Sequence, residues 1–199
     1  TLENTWNKIW PYLKNVVKSL EWINLGGGHH ITRSNYKLNK LTNFLLELTA
    51  KTNCQIILEP GEAVVFESGI LVGEILDYIQ GDNNKIPNIG ITDISPVCHM
   101  PDVIEAPYRP MLMNEPLKGK KVVLGGPSCL AGDVIGEYYF LKNPKIGDKV
   151  VFLDQAHYTL VKTNFFNGIN HPEIVLWNSD NNDFKIIKSF NFKDFETRN

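Results

Sequence analysis

Three consecutive glycines, Gly26-Gly27-Gly28, follow the apolar pair Trp22-Ile23 and precede His29-His30. Glycine has no Cβ, so backbone N–H groups in such a loop can close on a small anion, typically a phosphate. A tight strand-to-helix turn also uses glycines, and the triplet alone favours that plainer reading. Glu59-Pro60-Gly61-Glu62 sets two carboxylates where proline fixes the backbone and glycine permits a sharp reversal. A carboxylate there could pair with the protonated ring nitrogen of a cofactor or bind an amine; alone, the motif reads more simply as a solvated turn. In the stretch from Gly125 to Asp133, glycines and a proline surround one thiol, Cys129, and one carboxylate, Asp133. A thiol on such a loop can donate or accept a proton if its pKa is lowered. A turn with a buried, inert cysteine is the equal alternative.

Asp93 opens the run Asp93-Ile94-Ser95-Pro96, where it could bind a cationic group or cap a turn. His157-Tyr158 could offer an imidazole or a phenol to a phosphate, or could be a half-buried strand pair. Cys98-His99 and His29-His30 invite a metal reading. Adjacent residues on an extended or turn backbone point apart, however, and no zinc-like spacing is present, so no metal site is expected. Cys54 lies beside an apolar run and reads as core.

These residues need elements to position them. Residues 3–20 carry Trp6, Ile9, Leu13, Val16, Val17 and Leu20 at helical spacing, with Pro11 as a kink or boundary. A short strand over 22–25 ends at the glycines. A second helix over 37–52 places Leu38, Leu41, Leu45 and Leu48 on one side. A second strand over 55–58 stops at Glu59. Strand, loop, helix, strand, loop is the rhythm of a β/α barrel, whose chemistry sits at the C-terminal strand ends. Two such units cannot close an eight-stranded barrel. Either the first half is something smaller, or the chain is the C-terminal part of a larger protein.

Beyond residue 62 the pattern changes. Residues 63–80 read as a short helix running into a strand. Short β-type runs follow over 88–92, 121–124, 149–153, 158–164, 174–177 and 184–190. Turn clusters at 81–84, 145–148, 167–168 and 178–183 separate some of them. The expectation is an antiparallel β domain with a fraying tail over 193–199.

The totals set limits. The chain has 199 residues, 43% hydrophobic and 21% charged, as in ordinary globular proteins, with a net charge of -2. No basic surface for nucleic acid is implied. No apolar run approaches the roughly 18 residues that span a membrane, and the start shows no signal-peptide pattern. Three scattered cysteines argue against a disulfide framework and fit a reducing cytoplasm. Thr1 stands where an initiator Met would, so a natural chain beginning further upstream is expected.

Taken in order, five stretches resemble the fold-type III pyridoxal-phosphate decarboxylases: GGGHHITR, LEPGEA, TDISPVCHMPDVIEAPYRP, LGGPSCLAGD and FLDQAHYTLVKTNFFNG. Within that family the likeness is strongest to the carboxynorspermidine (carboxyspermidine) branch. The resemblance implies an α/β plus all-β fold: the C-terminal part of an alanine-racemase-like β/α barrel over 1–70, then an antiparallel β-barrel or sandwich domain over 71–199. It implies pyridoxal 5'-phosphate as cofactor, with Gly26, Gly27 and Gly28 holding its phosphate and Tyr158 hydrogen-bonding it. Glu59 would pair with the pyridine nitrogen. Cys129 would assist protonation of the carbanion left by CO₂ loss, with Asp133 nearby. Asp93 would bind the distal amine of a small polycationic amino acid. A homodimer with shared sites is implied, because in relatives the cysteine loop reaches the neighbouring subunit's site.

Two departures stand out. Ornithine and diaminopimelate decarboxylases carry Arg at the position of Glu62. A carboxylate there suits a substrate with several ammonium groups, which favours the carboxynorspermidine branch and makes Glu62 a substrate-binding candidate. The family's Schiff-base lysine, near the start of the barrel, has no match here. The expectation is therefore the C-terminal half of a cytoplasmic decarboxylase of spermidine synthesis, needing the N-terminal half of the barrel. The competing readings are a diaminopimelate- or ornithine-type decarboxylase and a non-catalytic decarboxylase-like binding module.

Overall fold

The computed structural model describes residues 2–82 and 85–198. Asn83 and Asn84 of the turn expected over 81–84 lie outside the described residues, as do Thr1 and Asn199. The chain divides into two compact units, Thr1–Phe66 and Glu67–Asn199.

The first unit runs α1 (Leu2–Leu13), β1 (Trp22–Asn24), α2 (Leu38–Thr52), β2 (Gln55–Ile57) and α3 (Glu62–Val65). The strands pair in parallel, Trp22 against Gln55 and Asn24 against Ile57, so both end on the same side. Trp6, Val17, Leu48 and Cys54 are buried together and form its core. The helix expected over 3–20 stops at Leu13, just beyond Pro11. Proline has no N–H to donate, and the chain resumes as a single 3-10 turn, Val17–Ser19. Val16 and Leu20 from the expected apolar face are more than two-fifths exposed. α2 ends at Asn53, whose left-handed backbone (φ 56) lets its N–H reach the Thr49 carbonyl.

The second unit contains β3 (Ile70–Ile79), β4 (Asn88–Thr92), α4 (Pro96–His99), α5 (Asp102–Glu105), β5 (Lys120–Gly125), β6 (Val134–Phe140) and β7 (Lys149–Leu153). It continues with α6 (Tyr158–Val161), β8 (Ile174–Asn178), β9 (Asp183–Lys188) and α7 (Phe192–Glu196). Five strands form one sheet in the order β6-β5-β4-β3-β7, and β8 pairs with β9 as a separate hairpin. The sheet is mixed rather than antiparallel throughout, because β4 and β5 run parallel. A parallel pair needs a long crossover, and the segment between them supplies it with α4 and α5. In β3, Leu71, Gly73 and Ile75 are buried in alternation, the signature of a strand with one covered face. Ile75, Val122, Leu124, Tyr138 and Phe152 are fully enclosed in the core of this unit.

Three further expectations are corrected. Residues 158–164 form the turn of helix α6 and a loop, not a strand. Val134–Phe140 is a strand that the sequence pattern did not reveal; Gly136 interrupts its apolar run at φ 156. Within the tail, residues 193–196 belong to α7, started by a capping box in which Asn191 and Asp194 each accept from the other's end of the first turn. Phe152 meets Tyr138 edge to face at 5.8 Å. Phe152→Ala is therefore expected to cost about 3–5 kcal/mol, read from the shift of a urea midpoint.

Candidate active site

In the first unit the site grows from the parallel pair β1/β2. Pairing continues past the strands, since Leu25 N–H donates to Ile57 O and Glu59 N–H to Gly26 O, both at 2.9 Å. This brings the glycine loop directly against Glu59. A Cβ on Gly27 would lie 2.7 Å from the Glu59 carbonyl oxygen, so only glycine fits. Gly26 (φ 73) and Gly28 (φ 79) hold left-handed backbone. Among the described residues, the N–H groups of Gly27 and Gly28 donate to no protein acceptor. Successive amides left open in a tight loop form an anion-binding concavity.

Beside that loop, Asn24 Nδ2 donates to Glu59 Oε1 at 2.6 Å. Asn24 Oδ1 accepts from the Gly26 N–H at 2.8 Å. Asn24 thus couples the carboxylate to the glycine loop. The sequence did not single it out, because a separation of 35 positions hides the pairing. His29 is buried, and its Nε2 has no partner among the described residues. Glu62 is not a free anion. Arg33 approaches its Oε1 at 2.5 Å, and His30 Nδ1 lies 3.5 Å from the same oxygen.

In the second unit Asp133 organises the thiol loop. It is buried, and its Oδ1 accepts from Ser95 Oγ at 2.8 Å and from Val97 N–H at 3.1 Å. Its Oδ2 accepts from Ser128 N–H at 3.0 Å. So engaged, Asp133 ties the loop to α4. Cys129 is the exposed cysteine, while Cys54 and Cys98 are buried. Burial pushes the Cys98 thiol up from its ordinary pKa.

Asp93 sits exposed at the end of β4, with Oδ1 accepting from Glu74 N–H at 2.8 Å. It opens on a groove of about 1050 Å³ whose walls include Ile70, Val72, Trp177 and Phe184. Apolar walls with a carboxylate suit a methylene chain carrying an ammonium group. Tyr158 begins α6, 56% exposed, with its ring edge-to-face to His157 and 4.9 Å from Lys162 Nζ. Its phenol is open to a ligand.

His99 supports this framework from below. Its Nδ1 accepts from Ser95 N–H at 3.1 Å, and Nε2 lies 3.0 Å from Asn170 O. Both contacts are satisfied only by the neutral Nε2–H tautomer. Burial is the main cause that lowers its pKa to about 4, with the nearby His171 adding to it.

The pyridoxal-dependent decarboxylase C-terminal sheet domain matches residues 18–156, and the chain belongs to that family. It is 41% identical over 197 residues to a carboxynorspermidine/carboxyspermidine decarboxylase of Campylobacter jejuni, covering 92% of this chain and 50% of that protein. It is 35% identical to a carboxyaminopropylagmatine decarboxylase of Synechocystis, covering 99% of this chain and 51% of that protein. The crystal structure of carboxynorspermidine decarboxylase complexed with norspermidine, from Campylobacter jejuni, superposes with a TM-score of 0.89 at 39% identity. That match covers all of this chain and 56% of the other. The chain spans about half the length of the curated relatives it matches.

The His99 geometry predicts acid sensitivity. The unfolded imidazole takes up a proton near pH 6.5, whereas the folded one resists until about pH 4. The contribution of His99 to stability is therefore fully present above pH 6.5 and is lost between 6.5 and 4, on the order of 3 kcal/mol. Urea midpoints measured across that range should show the decline, and His99→Gln should flatten it.

Proposed function

We propose that this chain is part of a decarboxylase that uses pyridoxal 5'-phosphate to convert carboxynorspermidine or carboxyspermidine to norspermidine or spermidine. The observation that carries the reading is the joined end of β1 and β2. There Gly27 packs against the Glu59 carbonyl and Asn24 holds the Glu59 carboxylate. Two open amides suit a phosphate, and a fixed carboxylate suits a protonated ring nitrogen, so the residues present fit the cofactor.

Bound pyridoxal phosphate supplies an electron sink for the carbanion left when CO₂ departs. The protein's own groups do the rest. The glycine-loop amides take the phosphate, and the Tyr158 phenol donates to it. Glu59 accepts from the ring nitrogen and keeps it protonated. Asp93 accepts from the distal ammonium, with the substrate's methylenes along the apolar groove walls. Glu62 is the less favoured anion for that ammonium, because Arg33 already compensates its charge. Cys129 delivers the proton to the α-carbon. Asp133 holds the thiol loop and is read as a positioning residue.

Residues 1–70 are read as the closing stretch of an alanine-racemase-like β/α barrel and 71–199 as its β-barrel or sandwich partner domain. The Schiff-base lysine comes from polypeptide that completes the barrel. The working form is a homodimer in which each thiol loop completes the other copy's site.

The test uses the complete enzyme, this chain joined to the segment carrying the lysine. It should release CO₂ from carboxynorspermidine; release from diaminopimelate or ornithine instead would overturn the substrate assignment. Gly27→Ala must displace the Glu59 main chain, so cofactor affinity, followed by fluorescence titration, is expected to drop at least about tenfold. Cys129→Ala should lower kcat ~10²–10⁴-fold, as loss of a proton donor does, while the cofactor absorbance stays. Undiminished turnover would remove the thiol from the mechanism.

A further inference from the structure

The thiol loop is held from two sides. Asp133 takes the N–H of Ser128, and the N–H of Cys129 itself donates to Asn167 Oδ1 at 3.2 Å. Asn167 stands in left-handed backbone (φ 57, ψ 15), and Gly168 follows it at φ 69. Asparagine is one of the few residues with a Cβ that accepts this conformation readily. It therefore combines the backbone the loop needs with a neutral acceptor.

The segment carrying Asn167 is itself fixed. Asn164 N–H donates to Cys98 O at 3.0 Å, and Asn164 Nδ2 donates to Val97 O at 2.6 Å. The Cys98 thiol lies 3.4 Å from Phe166 O. These contacts reach α4, and Asp133 holds α4 through Ser95 and Val97. The hydrogen bonds close a ring: Asp133 to α4, α4 to 164–166, Asn167 to Cys129, and Ser128 back to Asp133. Within this ring, Asn167 is the member whose side chain meets the main chain of Cys129.

We infer that Asn167 is the positioning residue for Cys129. Its side-chain oxygen pins the peptide that bears the thiol, and so sets the thiol's reach toward the carbon it protonates. The inference rests on the reading of Cys129 as proton donor. A donor acts only within hydrogen-bond reach, and a misplacement of about 1 Å can cost ~10²-fold in rate. A neutral amide suits the task, because a carboxylate beside the thiol would raise its pKa.

Two variants separate the acceptor from the backbone. Asn167→Gly keeps the left-handed conformation and removes the acceptor; Asn167→Asp keeps the acceptor and adds a charge. In the complete holoenzyme, Asn167→Gly is expected to lower kcat ~10–100-fold with KM nearly unchanged, and Asn167→Asp to recover most of that loss. In the same holoenzyme, iodoacetamide labelling located at Cys129 by peptide mass reads the thiol directly, since Cys54 and Cys98 are buried. Asn167→Gly should alkylate several-fold faster, and Asn167→Asp should shift the pH profile of alkylation upward. An unchanged alkylation rate or an unchanged kcat in Asn167→Gly overturns the inference. Full turnover in Cys129→Ala fails differently: it removes the catalytic reading and leaves the alkylation result standing.

Discussion

The buried carboxylate of Asp133 is the interaction on which the arrangement of the second unit's thiol loop depends. One side chain satisfies two main-chain N–H groups and a hydroxyl from two separate segments. The Ser95 hydroxyl is buried, and leaving it unpaired there costs about 1–3 kcal/mol, so the thiol loop and α4 are bound to one arrangement. Gly126 completes the constraint. A Cβ there would fall 2.3 Å from Asp133 Oδ2 and 2.6 Å from Ser95 Cα. Position 126 is glycine because the Asp133 carboxylate and the Ser95 main chain occupy the space a side chain would need.

The first unit follows the same logic with a different partner. Parallel strands end together, so loops leaving β1 and β2 become neighbours whatever their separation in sequence. Asn24 and Glu59 sit on those ends and meet. The glycine triplet is then committed twice, by the close approach of Gly27 to a carbonyl and by the left-handed backbone on either side. The backbone of the turn itself demands these glycines, and the same turn leaves the amides of Gly27 and Gly28 without a protein acceptor among the described residues.

Charge compensation redraws the substrate question. Glu62 reads in isolation as an extra anion for a polycation, but Arg33, 29 residues earlier, lies against it. Asp93 keeps a more open position on a groove with apolar walls. An open carboxylate beside apolar walls is chemically complementary to a methylene chain that carries an ammonium group. Similarity to relatives acting on carboxynorspermidine or carboxyspermidine, and on carboxyaminopropylagmatine, agrees with this chemistry.

Much of the fold was legible in the sequence because its signals are local. Glycine and proline punctuate β1 and β2, leucine spacing marks α2, and β-type runs mark β4, β5, β7, β8 and β9. Where periodicity is broken or too short, the reading failed: Val134–Phe140 contains a glycine, and Tyr158–Val161 is a single helical turn. The residue types of the site were equally local, and Gly26–Gly28, Glu59, Cys129 and Asp133 announced themselves by their company. The sequence alone determined which chemical groups the protein possesses and the family they belong to. Tertiary structure decided which groups are free to act. It engaged Glu62 with Arg33, buried Asp133 under three donors and left Cys129 exposed beneath the hold of Asn167. Those partners lie between 5 and 38 residues apart, and a hydrogen bond depends on distance in space, which residue order alone does not set.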